Sequence, residues 1–265
     1  MSDACRRSLV PHEHGAYAEL GIPLLSALAL GRPTAAMYLL AATAVTGFFA
    51  YEPLLVLFGY RGARVQKTEG RRAGRRFALL EVLTSVLGVT AVVLAPPSAR
   101  WALAVPALPM LGVIVLGLTR RLMARVGEIV ATVALSSVSV PVAVFGGVPL
   151  KTALVLGGVW VAGLVSVNLA VRAVLDHGGR HDRSPARGLS MAVVVAMWAA
   201  VAAAASAGWV PWIAPAALAP LSVGSLLILI VFPRPQRIAV LGWTAVAGSL
   251  MTAGLLVALL AAGSS

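Results

Sequence analysis

From residue 15 to its end, this chain repeats one pattern: mainly apolar runs of bilayer-spanning length, then a short break rich in charge or in Pro and Gly. About 20 apolar residues in a row suffice to cross a bilayer as a helix. Inside lipid the backbone must pair all of its own N–H and C=O groups, so only helices and closed barrels can span. Barrel strands are shorter and alternate apolar with polar, so these runs predict helices. Composition agrees, with 60% hydrophobic and 11% charged residues and a mean hydropathy of +0.93. No soluble globular domain has that balance. The expected fold is all-α, a polytopic transmembrane helical bundle forming one domain, with residues 1–14 as a short N-terminal segment. Nine spans are expected, over roughly 15–31, 34–60, 77–95, 101–118, 126–146, 149–175, 188–207, 212–232 and 238–262.

The segments between spans separate into two kinds. One set carries Arg6 and Arg7, the stretch "RGARVQKTEGRRAGRR", Arg120, Arg121 and Arg125, the stretch "RAVLDHGGRHDRSPARG", and Arg234 and Arg237. The other carries only Arg32, Arg100 and Lys151. Nine spans put eighteen of the 21 Lys/Arg on one side and three on the other. Because cytoplasmic loops are enriched in Lys and Arg, the N-terminus is expected in the cytoplasm and the C-terminus outside. The net charge of +12 is thus a topology signal and a contact to anionic lipid head groups. No nucleic-acid partner is expected. The start of the chain lacks the plan of a cleaved signal peptide, so the first span is expected to be retained in a bacterial cytoplasmic membrane. The single cysteine, Cys5, precludes an internal disulfide and a cysteine-cluster metal site.

Ionisable groups within spans cost roughly 2.5–3.5 kcal/mol each at a helix centre on insertion scales and usually mark function. Here Glu19, Glu52, Glu81, Glu128 and Asp176 all fall in or near the expected cytoplasmic half. Asn168, Arg172 and Asp176 recur every four residues, so they line one helix face. Arg121, Arg125, Glu128, Thr132, Ser136 and Ser139 form a similar stripe on the fifth span, and Glu81 shares a face with Ser85. Such stripes are expected to face each other around a polar cavity that opens to the cytoplasm, with an apolar upper part. The alternative is that the pairs Arg172–Asp176 and Arg125–Glu128 are interfacial ion pairs along single helices. His12 and His14 would point about 200° apart on a helix. His177 and His181 are four apart, with Gly178 and Gly179 between them arguing against a helix. No metal site is assigned on these spacings.

The stretch "PHEHGAYAELGIP" opens the first span. Its Pro11-His12-Glu13-His14-Gly15-Ala16-Tyr17 resembles the start of the YwiC-like family of bacterial membrane proteins, which characteristically begin Pro-x-Glu/Gln-His-Gly-Ala-Trp. Tyr17 stands where that pattern has Trp. This resemblance implies a membrane protein and no particular activity. The nine-span topology is in turn similar to that of the UbiA superfamily of prenyltransferases. That likeness implies a cytoplasm-facing cavity, with acidic motifs at the ends of spans two and six holding Mg²⁺ against a prenyl pyrophosphate. This chain departs from those motifs: Glu52 and Glu69 are the acids near the second span, and Asp176 and Asp182 those after the sixth. Mg²⁺ is therefore the cofactor the likeness implies and the residues argue against.

The resulting expectation is a cavity that accepts an isoprenoid or other lipid-like molecule. Glu19, Arg61, Arg64, Glu81, Glu128, Asn168, Arg172 and Asp176 would bind it. His14 and Glu52 would supply any acid–base chemistry, since His titrates near neutrality and a buried Glu can be raised toward it. The residues leave open whether chemistry occurs. A proton-coupled transporter and a non-catalytic assembly protein are the alternatives.

Overall fold

The computed structural model describes residues 9–10, 14–176, 185–231 and 238–262. Among these, every regular element is helical. The helices are α1 (His14–Leu30), α2 (Ala35–Leu57), α3 (Ala63–Leu94), α4 (Ala104–Leu118), α5 (Arg125–Ser137), α6 (Ser139–Phe145), α7 (Leu150–Asp176), α8 (Pro185–Ser206), α9 (Ile213–Val231) and α10 (Ile238–Ala262), with a 3₁₀ segment at Pro97–Leu103 before α4. Eight stretches are long and apolar enough to cross a membrane, and α1 is a shorter apolar helix. The chain is a multi-pass membrane protein, with eight such spans among the described residues and α1 in the place expected for the first.

Two compact units make up the chain, one of Met1–His14 with Pro33–Pro96, the other of Gly15–Arg32 with Pro97–Ser265. The first unit is a hairpin of α2 and α3. Thr34 caps α2, its hydroxyl accepting from the Met37 N–H at 3.1 Å. The α2 C-terminus runs into a turn at Gly59 and Gly62, whose φ values of 74° and 96° suit residues without a Cβ. Gln66 reaches back from α3 and donates to the Leu57 carbonyl at 2.6 Å, pairing an end-of-helix acceptor. Along the hairpin Gly88 lies against Thr43 and Gly47 against Thr84. Thr84 also donates to the Thr46 hydroxyl at 2.8 Å. The small residues let the two backbones approach.

The sequence places residues 61–76 in a loop between spans. The structure instead continues α3 back through them to Ala63. Arg, Lys, Gln and Glu are good helix formers, and a helix that has left the bilayer need not be apolar. Thr68 bonds the Arg64 carbonyl at 3.1 Å within this segment. Val65 and Ala73 pack it against Leu9, Val56 and Leu57.

In the second unit α1 joins the later helices, and the Arg32 N–H donates to the Gly146 carbonyl at 2.8 Å. The span expected over 126–146 breaks at Val138 into α5 and α6. Pro141 explains the break, because it has no N–H for the Ser137 carbonyl and its ring crowds that group. Several buried hydroxyls bond back to their own helices, as in Ser136 to Thr132 at 2.6 Å and Ser166 to Ala162 at 2.7 Å, so these cost little in an apolar setting.

Helix α7 is the central element, with Leu156, Val159 and Trp160 all buried. Its Gly157 and Gly163 lie where a Cβ would collide with Val140 of α6 and Leu221 of α9. Val140 is 1% exposed and β-branched, so it has few ways to move aside. Gly157→Ala is accordingly expected to destabilise the protein by about 1–3 kcal/mol through overpacking. Unfolding of the detergent-solubilised variant by denaturant would measure this, and an unchanged midpoint would contradict the packing described.

Candidate functional site

Two polar groupings stand out in the apolar helices, one in each unit. In the hairpin, Glu52 lies on α2 one and a half turns before the helix ends, and its side chain is 1% exposed. The glycine turn returns Arg61 to it. Arg61 Nε donates to Glu52 Oε1 at 2.9 Å and Nη2 to Oε2 at 2.5 Å. This fork-to-fork pairing engages both carboxylate oxygens, the geometry that makes Arg–carboxylate pairs strong. Glu52 therefore ties the turn to the helix; a general-base task would require Arg61 to withdraw. Arg64 lies one turn further along α3 and is exposed. Glu81 is half-buried on α3, one turn before the Thr84 that bonds α2.

The second grouping joins α1, α5 and α7. The Glu128 Oε1 on α5 accepts from Arg172 Nη1 on α7 at 2.9 Å. One turn deeper, Asn168 Nδ2 donates to the Thr132 hydroxyl at 3.1 Å. The pairings 128 with 172 and 132 with 168 sum to the same number, as they must where two antiparallel helices stay in register. The stripes of α5 and α7 thus face each other, and Arg172 pairs across the two helices. Glu19 of α1 completes the group, its Oε2 lying 3.1 Å from the Thr132 hydroxyl.

Thr132 is the hub of this group. It is 1% exposed, and its hydroxyl has two candidate acceptors, the Glu19 carboxylate and the Glu128 backbone carbonyl at 3.0 Å. A hydroxyl has one proton to give and can accept twice. With Glu19 ionised the proton turns to the carboxylate. With Glu19 protonated the hydroxyl accepts from it and turns its own proton to the carbonyl. The sequence places Thr132 on the polar stripe but does not single it out; its four-residue step from Glu128 is the signal that could have.

The group is half-open. Glu128 and Arg172 are 30% and 35% exposed, while Thr132, Ser136 and Ser139 are buried. The sequence leads one to expect a polar cavity open to the cytoplasm at this end. A cavity of about 400 Å³ lies at the other end of α7, lined among others by Lys151, Thr152, Val155, Trp212 and Leu260. His12, Glu13, His177, His181 and Asp182 lie outside the described residues, as do the side chains of His14 and Asp176.

Among the described residues no three His, Cys, Asp or Glu side chains converge as metal ligands. Mg²⁺ is bound through carboxylates brought together with substrate phosphates. In the first unit Glu52 is already saturated by Arg61. In the second, Glu19 and Glu128 come from different helices, each engaged with protein donors. The described residues do not form the pair of acidic clusters that a Mg²⁺–pyrophosphate site needs.

Comparison with known proteins gives one match. A family model described as YwiC-like protein covers residues 10–144, a little over half of the chain. The matched stretch contains Glu19, Glu52, Arg61, Glu128 and Thr132 and stops before α7. No curated protein and no solved structure matches the chain. The match takes in the opening "PHEHGAY" and the acids of both polar groupings and covers more than half of the chain: the chain belongs to the YwiC-like protein family.

Proposed function

We propose that the polar group of α1, α5 and α7 binds the head of an amphipathic, isoprenoid-like or lipid-like molecule, with its tail lying along the apolar helices. The observation that carries this reading is the convergence of Glu19, Glu128, Thr132, Asn168 and Arg172 from three helices in an otherwise apolar unit. Intramembrane polar groups are costly and seldom gather without use. Charge then narrows the ligand. Glu19 and Glu128 against Arg172 leave this set with an excess of negative charge, which disfavours a pyrophosphate. Two carboxylates accept while Asn168 and Arg172 donate, which suits a neutral head that can do both, such as a hydroxyl. The group would open to the cytoplasm, following the basic segments. Arg61 and Glu52 would hold the hairpin, and His14 would supply any acid–base chemistry.

Thermal unfolding in detergent tests this. A short-chain isoprenoid alcohol at saturating concentration should raise the midpoint by several degrees, because a ligand at 100 times its Kd adds about 2.7 kcal/mol to the folded state. The matching pyrophosphate should do less, and Arg172→Ala should abolish the gain. Equal shifts in wild type and variant would contradict the proposal.

One observation favours a second reading, a proton-coupled carrier. Glu19 can take up and release a proton while the Thr132 hydroxyl turns between its carboxylate and the Glu128 carbonyl. The cavity of about 400 Å³ stands at the far end of the same helix. Proton uptake coupled to a solute in proteoliposomes, lost in Glu19→Gln, would move the assignment there.

A further inference from the structure

Helix α3 is longer than a membrane needs. Its apolar part begins at Phe77, and the thirteen helical residues from Arg64 to Arg76 add about 20 Å at 1.5 Å per residue. This extension is held on its inner side by Val65 and Ala73 against Leu9, Val56 and Leu57 and by the Gln66 bond to α2. It is a fixed continuation of the hairpin.

Arg64, Lys67, Arg71 and Arg75 follow at steps of three, four and four, which keeps them on one helix face. All four are exposed. Glu69 is the one acid of this extension, and it pairs with Arg72 at 3.4 Å, off that face. None of the four cations makes a side-chain hydrogen bond or ion pair to another described residue. The result is a straight row of positive charge, one per turn, that climbs away from the bilayer.

Lipid head groups can neutralise only the lower part. A bilayer of ~30 Å core and ~40–45 Å total thickness leaves about 5–7 Å of head group per leaflet. Arg75 falls within that layer, and Arg71, about 7.5 Å above Arg76, stands at its outer edge. Lys67 and Arg64 start about 13 and 18 Å above Arg76, beyond it. A duplex nucleic acid binds through many more phosphate contacts than four, and this face has no aromatic side chains for stacking single-stranded bases. An acidic helix carrying a carboxylate every turn matches the row charge for charge at the same ~6 Å spacing.

We infer that the exposed face of the α3 extension is a docking surface for an acidic helical segment of a partner protein. It does not depend on a ligand at the α1–α5–α7 group.

The test uses the full chain in nanodiscs of zwitterionic lipid. The probe is a fluorescent helical peptide with glutamate at every fourth position, read by anisotropy. Binding should weaken at least tenfold between 50 and 300 mM salt. Arg64→Ser/Lys67→Ser should weaken it tenfold or more, and Arg71→Ser/Arg75→Ser should do so less. Neither pair touches the packed face, so both variants should fold. Adding anionic lipid to the disc should leave most of the binding intact. No binding, equal binding by the Arg64→Ser/Lys67→Ser variant, loss of binding with anionic lipid, or tighter binding of a single-stranded oligonucleotide of equal charge would each overturn the inference.

Discussion

Replacing Arg61 by alanine should destabilise the α2–α3 hairpin by about 3–5 kcal/mol, the usual cost of orphaning one member of a buried ion pair. Glu52 makes the case severe. Its side chain is 1% exposed, and both carboxylate oxygens accept from Arg61. Without the guanidinium that charge has neither water nor a cation. The converse change, Glu52→Gln, keeps one acceptor and removes the charge, so it should cost less. Converting both residues at once, to Glu52→Leu with Arg61→Met, should recover most of the loss, because a well-packed apolar pair often replaces a buried ion pair at little cost. Denaturant unfolding of the four proteins in one detergent would measure the cycle. If Arg61→Ala and the double variant were equally unstable, the pair would not be what holds the turn.

The second large effect is expected at Thr132. Valine has nearly the same shape, so Thr132→Val leaves packing intact and deletes only the hydroxyl. Glu19 and Asn168 then lose a shared partner, at about 1–3 kcal/mol for buried polar groups left unmatched. The coupling should be visible in a cycle with Asn168→Ala: the two single losses should sum to more than the double loss, since both remove one bond. Additive losses would mean that Asn168 and Thr132 do not act together. Thr132→Ser, which keeps the hydroxyl, should restore most of the stability and of any ligand response.

Much of this architecture could be read from residues alone, and the reasons are particular. Run length and the spacing of basic clusters marked the spans to within a few residues, because a bilayer punishes any other placement. The steps of four through Glu128 and Thr132, and through Asn168 and Arg172, put polar groups on single faces. A polar face in lipid has few options besides another polar face. Three features stayed hidden. The basic stretch before Phe77 looked like a loop because its hydropathy falls, yet hydropathy reports the solvent and not the backbone. Arg61 could not be matched to Glu52 because their pairing depends on the turn at Gly59 and Gly62, which sets where a side chain nine residues on will land. The break at Val138 follows from Pro141, but a proline in a span kinks the helix or is absorbed, and only packing decides which.

Arg64 parts from its neighbour Arg61 in the fold. From sequence it belonged with Arg61 as one more group to bind the isoprenoid or lipid-like molecule. In the fold the turn sends Arg61 back to Glu52 and leaves Arg64 exposed on α3. Two residues three apart thus take up unrelated tasks.

Mass spectrometry of small molecules that co-purify with the detergent-solubilised protein tests the central claim most directly. Wild type should be compared with an Asn168→Ala/Arg172→Ala variant shown to be folded by its unfolding midpoint. An isoprenoid-like or lipid-like species with a neutral hydrogen-bonding head, enriched in wild type and depleted at least tenfold in the variant, is the predicted result. The same species at the same abundance in both, or none specific to either, would contradict a ligand site at the α1–α5–α7 group.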